Sequence, residues 1–201
     1  MSSPPTLDPP SVRRRLEKLG DCPQVEFNRF EVEGMGELQP AAVLVPLTEI
    51  DGQFHVVFTS RPETMPQHSG EVSFPGGRAE EKDQTLLETA LRETHEEIAL
   101  DPDEVRVYGN LVRMPTITGY DVTVFVGEFD RSERLEPNPR EIEELFLAPL
   151  HALADPSCHR VEQRTWREHT FDLHFFDYGG HLIWGATGYM VYRLLELVKP
   201  D

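Results

Sequence analysis

The chain has 201 residues, which is enough for one hydrophobic core and at most a small appendage. Its 36 acidic and 19 basic residues give a formal net charge of −17, which opposes loose binding to nucleic acid or to an anionic membrane. The sequence has no run of 18 apolar residues, so we expect no membrane span.

Cysteine usage and the first residues bear on the compartment. Cys22 and Cys158 lie far apart and in no metal-like spacing, so we expect ordinary reduced thiols. The start, MSSPPTLDPPS, lacks the basic and apolar segments of a secretion signal. We therefore expect a cytoplasmic protein, and we leave open whether it forms a homodimer.

The N-terminal part is predicted to be an extension of the main domain. Residues 1–10 are rich in Pro and Ser, and residues 11–20 have apolar side chains at helical spacing between a capping Ser11 and Gly20. Residues 1–37 are therefore predicted to carry one short helix, and residues 38–201 to form the main domain.

The main domain is predicted to contain more strands than helices. Apolar runs at 41–47 and 54–60, joined by an Asp-Gly turn, predict a hairpin. Further segments in chain order are a charged helix at 84–98, strands at 105–114 and 120–129, an edge strand at 141–150 that ends at Pro149, a short helix at about 150–154, a strand at 170–178 and a helix at 187–198. This mixed order predicts the α+β class, with a mixed sheet flanked by helices.

The charged helix concentrates Glu93, Glu96 and Glu97 on one sector, next to an apolar stripe. Like charges three and four residues apart repel, and a solvated acidic face is the ordinary interpretation of such a run. Two features favour a ligand site instead. The paired glycines of FPGG before the helix allow a tight backbone turn close to a ligand, and the neighbouring Arg92 is a potential counter-ion for the glutamates. Dense carboxylate oxygens suit Mg²⁺ or Mn²⁺, and Asp83 is a plausible N-cap of the helix.

The segment from Gly76 to Leu100, GGRAEEKDQTLLETALRETHEEIAL, resembles the Nudix box. The matching positions are Gly77, Arg92, Glu93, Glu96, Glu97 and Leu100. The departures are Asp83 for the first Glu, Thr94 for an apolar residue, Ala99 for the last Gly, and eight residues rather than seven between Asp83 and Arg92. The Arg-Glu…Glu-Glu core is intact, so we expect an active enzyme.

The resemblance implies an α/β/α sandwich around a mixed sheet, and an enzyme that hydrolyses a diphosphate linked to another moiety. It implies that Glu93, Glu96 and Glu97 hold divalent metals and that Arg92 orients these glutamates. It also implies that the Gly76–Gly77 turn shapes the site. The base that takes the proton of the attacking water stays open between Glu97 and Glu71.

The segment before the box, FTSRPETMPQHSGEVSFPGG, resembles the signature of the coenzyme A pyrophosphatase subfamily. The matching positions are Thr59, Arg61, Gly70, Phe74, Pro75, Gly76 and Gly77, and the departures are Pro62, Pro66 and Glu71. The eight-residue spacing and the late segment IWGATG, 183–188, are similar to that subfamily as well. The resemblance covers about 40–195.

Substrate contacts are implied for Arg61, His68, Gly70, Gly76 and Gly77. Arg61 suits phosphate recognition, with an ion pair that supports the fold as the alternative; His68 is either a substrate contact or part of the loop structure. The function predicted is hydrolysis of CoA or a CoA derivative with Mg²⁺ or Mn²⁺. The alternatives are a Nudix hydrolase of ADP-ribose or NADH, weakly indicated by Pro115, and a catalytically silent nucleotide-sensing module.

Overall fold

A computed structural model describes residues 7–21, 37–61, 71–166 and 169–200. The α-helices in these ranges are α1 (Pro9–Leu16), α2 (Leu86–Ile98), α3 (Leu150–Leu153) and α4 (Gly185–Val198). The strands are β1 (Gln39–Ile50), β2 (Gln53–Ser60), β3 (Val72–Ser73), β4 (Gly76–Arg78), β5 (Arg106–Pro115), β6 (Tyr120–Glu128), β7 (Glu144–Pro149), β8 (His159–Trp166), β9 (His169–Tyr178) and β10 (His181–Ile183). Within the described ranges, no helix is long and apolar enough to cross a bilayer.

The main sheet is mixed, as predicted. Its strand order is β3-β2-β1-β6-β5, with β4 paired to β1 and β7 paired to β2. The pair β1–β6 is parallel and the other pairs are antiparallel. At the end of the hairpin away from its turn, β1 pairs with β4 and β2 pairs with β3. The segment 71–78, which contains β3 and β4, therefore runs from β2 to β1 and contacts α2.

The hairpin β1–β2 forms where the Asp-Gly signal predicts it. Asp51 and Gly52 have φ values of 52° and 74°, and this pair of positive values matches the right-handed twist of the flanking strands. The hairpin places Ser60 and Arg61 at the far end of β2, opposite β3.

Helices cover both faces of the main sheet, so the predicted three-layer α+β architecture is confirmed. On one face α2 packs through Ala90 and Ile98 against Ala42, Leu44 and Val57. On the other face a larger core joins the sheet to α1, α3, α4 and the second sheet. Alternating side chains of β1 and β2 supply both cores, because successive residues of a strand point to opposite faces.

Two predicted helix caps are wrong. The N-cap of α1 is Asp8, whose carboxylate accepts from the backbone N–H of Ser11 at 3.0 Å. The N-cap of α2 is Thr85, whose hydroxyl accepts from the N–H of Glu88 at 3.1 Å. Thr85 is two residues closer to the helix than Asp83 and caps it, whereas Asp83 accepts hydrogen bonds from Arg92.

The second sheet has the order β10-β9-β8 and packs on α4 through one face. The strand predicted at 170–178 is β9, and β8 was not predicted. Its sequence, HRVEQRTW, mixes charged and apolar residues and so lacks a clear strand pattern. Among the described strands β8 pairs only with β9 and is a sheet edge, where charged residues are common.

Candidate active site

Helix α2 presents its glutamates at three depths. The exposed fraction of the side chain is 49% for Glu96, 17% for Glu93 and 4% for Glu97. The apolar stripe fixes these depths, because Ala90 and Ile98 are fully buried against the sheet and Glu97 is adjacent to Ile98. The glutamates therefore form a series that runs from the core edge to the solvent.

The Gly76–Gly77 turn brings backbone directly against two of these carboxylates. Gly76 has a φ of 153°, and its N–H donates to Oε2 of Glu97 at 3.3 Å. A Cβ built on Gly76 would lie 2.4 Å from the carbonyl oxygen of Ala42, and one built on Gly77 would lie 2.5 Å from Cδ of Glu93. Gly76 needs glycine, because a side chain there would enter space that the backbone of β1 fills, whereas a side chain at Gly77 would displace the carboxylate of Glu93.

Arg92 connects the helix to the loop before it. Its Nε and Nη2 each donate to a carboxylate oxygen of Asp83 at 2.9 Å. Its Nη1 donates to Glu93 at 2.8 Å and to Glu96 at 3.2 Å. These bonds hold the pKa of Asp83 well below its usual range and raise the pKa of Arg92. One guanidinium thus fixes the position of two of the three glutamates.

Asp83 is itself held by the loop and the helix. Besides Arg92, its Oδ2 accepts from the hydroxyl of Thr89 at 3.0 Å and from the N–H of Glu80 at 3.0 Å. Asp83 stands where the Nudix box has a glutamate, and the chain has one more residue between this position and Arg92. Both carboxylate oxygens of Asp83 nevertheless accept hydrogen bonds from the guanidinium of Arg92. The shorter side chain is compatible with the longer loop.

Glu97 is buried with little positive charge near it. Nη2 of Arg61 is 3.8 Å from its Oε1. Burial, together with the charges of Glu93 and Glu141, raises the pKa of Glu97 to about 8, against the opposing effects of Arg61 and the N–H of Gly76. Burial also raises the pKa of Glu93, against the opposing effect of Arg92. Burial therefore disfavours the charged form of both glutamates, and that of Glu97 most strongly.

The loop 138–142 brings residues to the site that sequence reasoning missed. Asn138 caps the end of α2: its N–H donates to the carbonyl of Glu97 at 2.8 Å and its amide to the carbonyl of Glu96 at 3.4 Å. The same amide donates to Oε1 of Glu141 at 3.2 Å. The negative charge of Glu141 raises the pKa of both Glu93 and Glu97. No spacing in the sequence links this loop to the helix, so only the fold identifies it.

The remaining predicted site residues divide into two groups. Arg61 and Glu71 lie at the adjoining ends of β2 and β3, where the N–H of Arg61 donates to the carbonyl of Glu71 at 3.3 Å. The end of β2 therefore places the side chain of Arg61 beside Glu97, and the backbone of Glu71 lies beside the backbone of Arg61. His68 and Gly70, together with Pro62 and Pro66, lie outside the described residues.

The carboxylates are of the chemical type that binds a divalent cation, although their oxygens do not point toward one common centre. Among the described residues, no three acidic, His or Cys side chains form a ready-made metal cluster. Glu93 and Glu96 turn toward Arg92, while Glu97 turns toward Gly76 and Arg61. Hard carboxylate oxygens suit Mg²⁺ or Mn²⁺, and a cation would supply the charge that buried Glu97 lacks.

Comparison with known proteins supports a family assignment. Residues 38–170 match the NUDIX domain. The chain is 36% identical over 161 residues to the uncharacterized Nudix hydrolase NudL of Photorhabdus laumondii, covering 79% of this chain and 84% of that protein. It is 37% identical over 139 residues to the peroxisomal coenzyme A diphosphatase NUDT7 of Mus musculus, covering 68% of this chain and 58% of that protein.

A solved structure gives the same result for the fold. A MutT/nudix family protein from Enterococcus faecalis superposes with a TM-score of 0.52 at 12% sequence identity. The match covers 89% of this chain and 65% of that one. At this identity the similarity is one of architecture alone.

Proposed function

The chain belongs to the Nudix hydrolase family, a family that hydrolyses diphosphate bonds, and from this premise we propose that its substrate is coenzyme A or a CoA derivative. The products are phosphopantetheine, or its acyl derivative, and adenosine 3′,5′-bisphosphate. The named activity of the mouse relative supports this choice of substrate.

The observation that carries the proposal is the contact between Arg61 and Glu97. Arg61 belongs to the segment that resembles the CoA pyrophosphatase signature, and Glu97 belongs to the Nudix box. Their side chains lie 3.8 Å apart at the end of β2. The guanidinium is one third exposed, and its planar set of N–H donors suits a phosphate oxygen beside the helix carboxylates.

The metal requirement follows from the charges at the site. Nudix hydrolases generally use divalent metals, and Glu93, Glu96 and Glu97 are the residues that would hold one here. A bound Mg²⁺ or Mn²⁺ would neutralise the repulsion between these carboxylates and a diphosphate and would lower the pKa of an attacking water.

The chain's own residues have distinct tasks in this proposal. Arg92 holds Glu93 and Glu96 in position, and Arg61 binds and orients a phosphate group. A carboxylate accepts a proton from water as the water oxygen bonds to phosphorus. The bond from that phosphorus to the bridging oxygen then breaks, and the second phosphate leaves.

The proton acceptor is proposed to be one of three carboxylates. Glu97 and Glu71 are the two that the sequence suggests, and Glu141 joins them because its charge acts on both Glu93 and Glu97. Burial raises the pKa of Glu97, and a bound cation would oppose this shift by stabilising the carboxylate.

A substrate panel tests the proposal. CoA, acetyl-CoA, ADP-ribose, NADH and a dinucleoside polyphosphate are each incubated with Mg²⁺ and with Mn²⁺, and the products are separated by chromatography. We expect the highest kcat/KM for CoA or its acyl derivative, and a kcat at least about a hundredfold lower for Glu97→Gln. A higher kcat/KM for ADP-ribose or NADH would replace the CoA proposal, and no turnover of any substrate would favour a nucleotide-sensing module.

A further inference from the structure

Asn138 connects the end of α2 to the loop 138–142 through both polar atoms of its side chain. Its Nδ2 donates to the carbonyl of Glu96 at 3.4 Å and to Oε1 of Glu141 at 3.2 Å. Its Oδ1 accepts from the N–H of Arg140 at 3.2 Å. The reverse orientation of the amide would place Oδ1 against two acceptor oxygens, so these contacts fix which end of the amide faces Glu141.

The backbone of Asn138 forms the turn that carries Glu141. Its N–H donates to the carbonyl of Glu97 at 2.8 Å, and its carbonyl accepts from the N–H of Glu141 at 3.0 Å and from that of Ile142 at 2.8 Å. Ile142 is buried, and Pro139 restricts the backbone of the residue before it. The turn is therefore held against both the core and the end of the helix.

The other end of this loop is fixed to β2. The N–H of Glu143 donates to the carbonyl of Ser60 at 2.9 Å, at the end of β2 that borders the site. Glu141 thus lies on a segment that is attached on one side to α2 and on the other to β2. From there its negative charge acts on the carboxylates of Glu93 and Glu97.

Glu141 differs from the glutamates of the box in its hydrogen-bond donor. The guanidinium of Arg92 donates to Glu93 and Glu96, whereas a neutral amide, that of Asn138, donates to Glu141. Within the described ranges Glu141 is in no ion pair, and no group donates to its Oε2. An oxygen without a donor can accept a hydrogen bond from water, and a neutral donor on the other oxygen orients the carboxylate without cancelling its charge.

We propose that Asn138 is a positioning residue that holds the carboxylate of Glu141 so that Glu141 takes the proton of the attacking water. The water oxygen bonds to phosphorus as its proton passes to Oε2 of Glu141. The bond from phosphorus to the bridging oxygen then breaks, and the second phosphate leaves with the bonding electron pair. This inference rests on the diphosphate hydrolysis proposed above, and not on the choice of CoA as the substrate.

A double-mutant cycle with Asn138→Ala and Glu141→Gln tests the proposal, on the substrate that has the highest kcat/KM in the panel. We expect kcat to fall about tenfold to a hundredfold for Asn138→Ala, and at least about a hundredfold for Glu141→Gln, which removes the proton acceptor. The KM of Asn138→Ala should change little, since Asn138 acts through Glu141 and not on the substrate. The double variant should have the kcat of Glu141→Gln alone, because no carboxylate is left to position.

Multiplied losses of kcat in the double variant would overturn the proposal. They would assign Asn138 to support of the end of α2, which loses the same cap with or without Glu141. An unchanged kcat for either single variant would overturn it too. The control is Asn110→Ala, which removes an asparagine of the edge strand β5 and should leave kcat unchanged.

Urea unfolding in EDTA shows whether each variant is folded. If Asn138→Ala is not, Asn138→Asp takes its place in the cycle, since aspartate keeps the acceptor for the N–H of Arg140 and loses the donor to Glu141. A higher kcat/KM for ADP-ribose or NADH would replace the CoA proposal and leave the cycle to be run on that substrate. No turnover of any substrate would overturn both the hydrolysis and the role of Asn138.

Discussion

The carboxylate of Glu93 lies in the space that a side chain at Gly77 would occupy. A Cβ on Gly77 would be 2.5 Å from Cδ of Glu93 and 2.6 Å from its Oε2. The backbone of the turn and the glutamate are therefore in direct contact, and the position of the carboxylate depends on the absence of one methyl group.

We predict that Gly77→Ala leaves the protein folded and lowers kcat by about tenfold to a hundredfold, the range seen when support of a metal ligand is lost. The fold survives because the atoms that must move are the end of a flexible side chain. The control is Gly20→Ala, where an added Cβ meets no atom within 4 Å. Equal kcat for both variants would show that the position of Glu93 is not critical.

The buried Glu97 predicts an unusual dependence of stability on pH. Burial raises its pKa from 4.5 to about 8 in the folded, metal-free protein. Between these values the folded state holds a proton that the unfolded state has lost, so this group's contribution to the free energy of unfolding falls as pH rises. The slope from this group is at most about 1.4 kcal/mol per pH unit.

Glu97→Gln removes this contribution, since the amide does not titrate. We predict that the variant gains stability relative to the wild type as pH rises from about 5 to 8, measured by urea unfolding in EDTA. Its kcat should fall at least about a hundredfold, because a metal ligand is lost. A difference in unfolding free energy that stays constant with pH would contradict the titration of Glu97.

Arg61→Ala is predicted to lower kcat/KM for CoA by roughly tenfold to a hundredfold, at about 1.4 kcal/mol per decade, through loss of a charge-assisted phosphate contact. Dephospho-CoA should be less affected if Arg61 binds the 3′-phosphate, and equally affected if it binds the diphosphate. The control is Arg106→Ala, which removes an exposed arginine paired with Glu17. An unchanged kcat/KM would assign Arg61 to support of the fold.

Ala99 ends helix α2 with a φ of 57°, in the left-handed region that favours glycine. We predict that Ala99→Gly raises the free energy of unfolding by about 0.5–1 kcal/mol, the lost strain exceeding the greater freedom of glycine in the unfolded chain. The control is Ala154→Gly, where φ is −80° and glycine should destabilise. Urea titration measures both, and destabilisation by Ala99→Gly would show that the left-handed residue costs little.

Local patterns in the sequence were sufficient for the elements that depend on neighbouring residues. The period of apolar residues predicted α2, and the Asp-Gly pair predicted the β1–β2 turn, because both signals act within a few residues. The same spacing placed Glu93, Glu96 and Glu97 next to the apolar stripe of the helix. These are properties of the chain's local geometry.

The tertiary structure decided how those residues are used. Periodicity gives the direction of a side chain on a helix but not its depth, which depends on the sheet and the turn packed against it; Glu97 is buried and Glu96 is half exposed for this reason. Asp83 pairs with Arg92 because Thr85 is better placed to cap α2. Glu141 reaches the site through a loop distant in sequence, and such contacts form only when the core brings the two segments together.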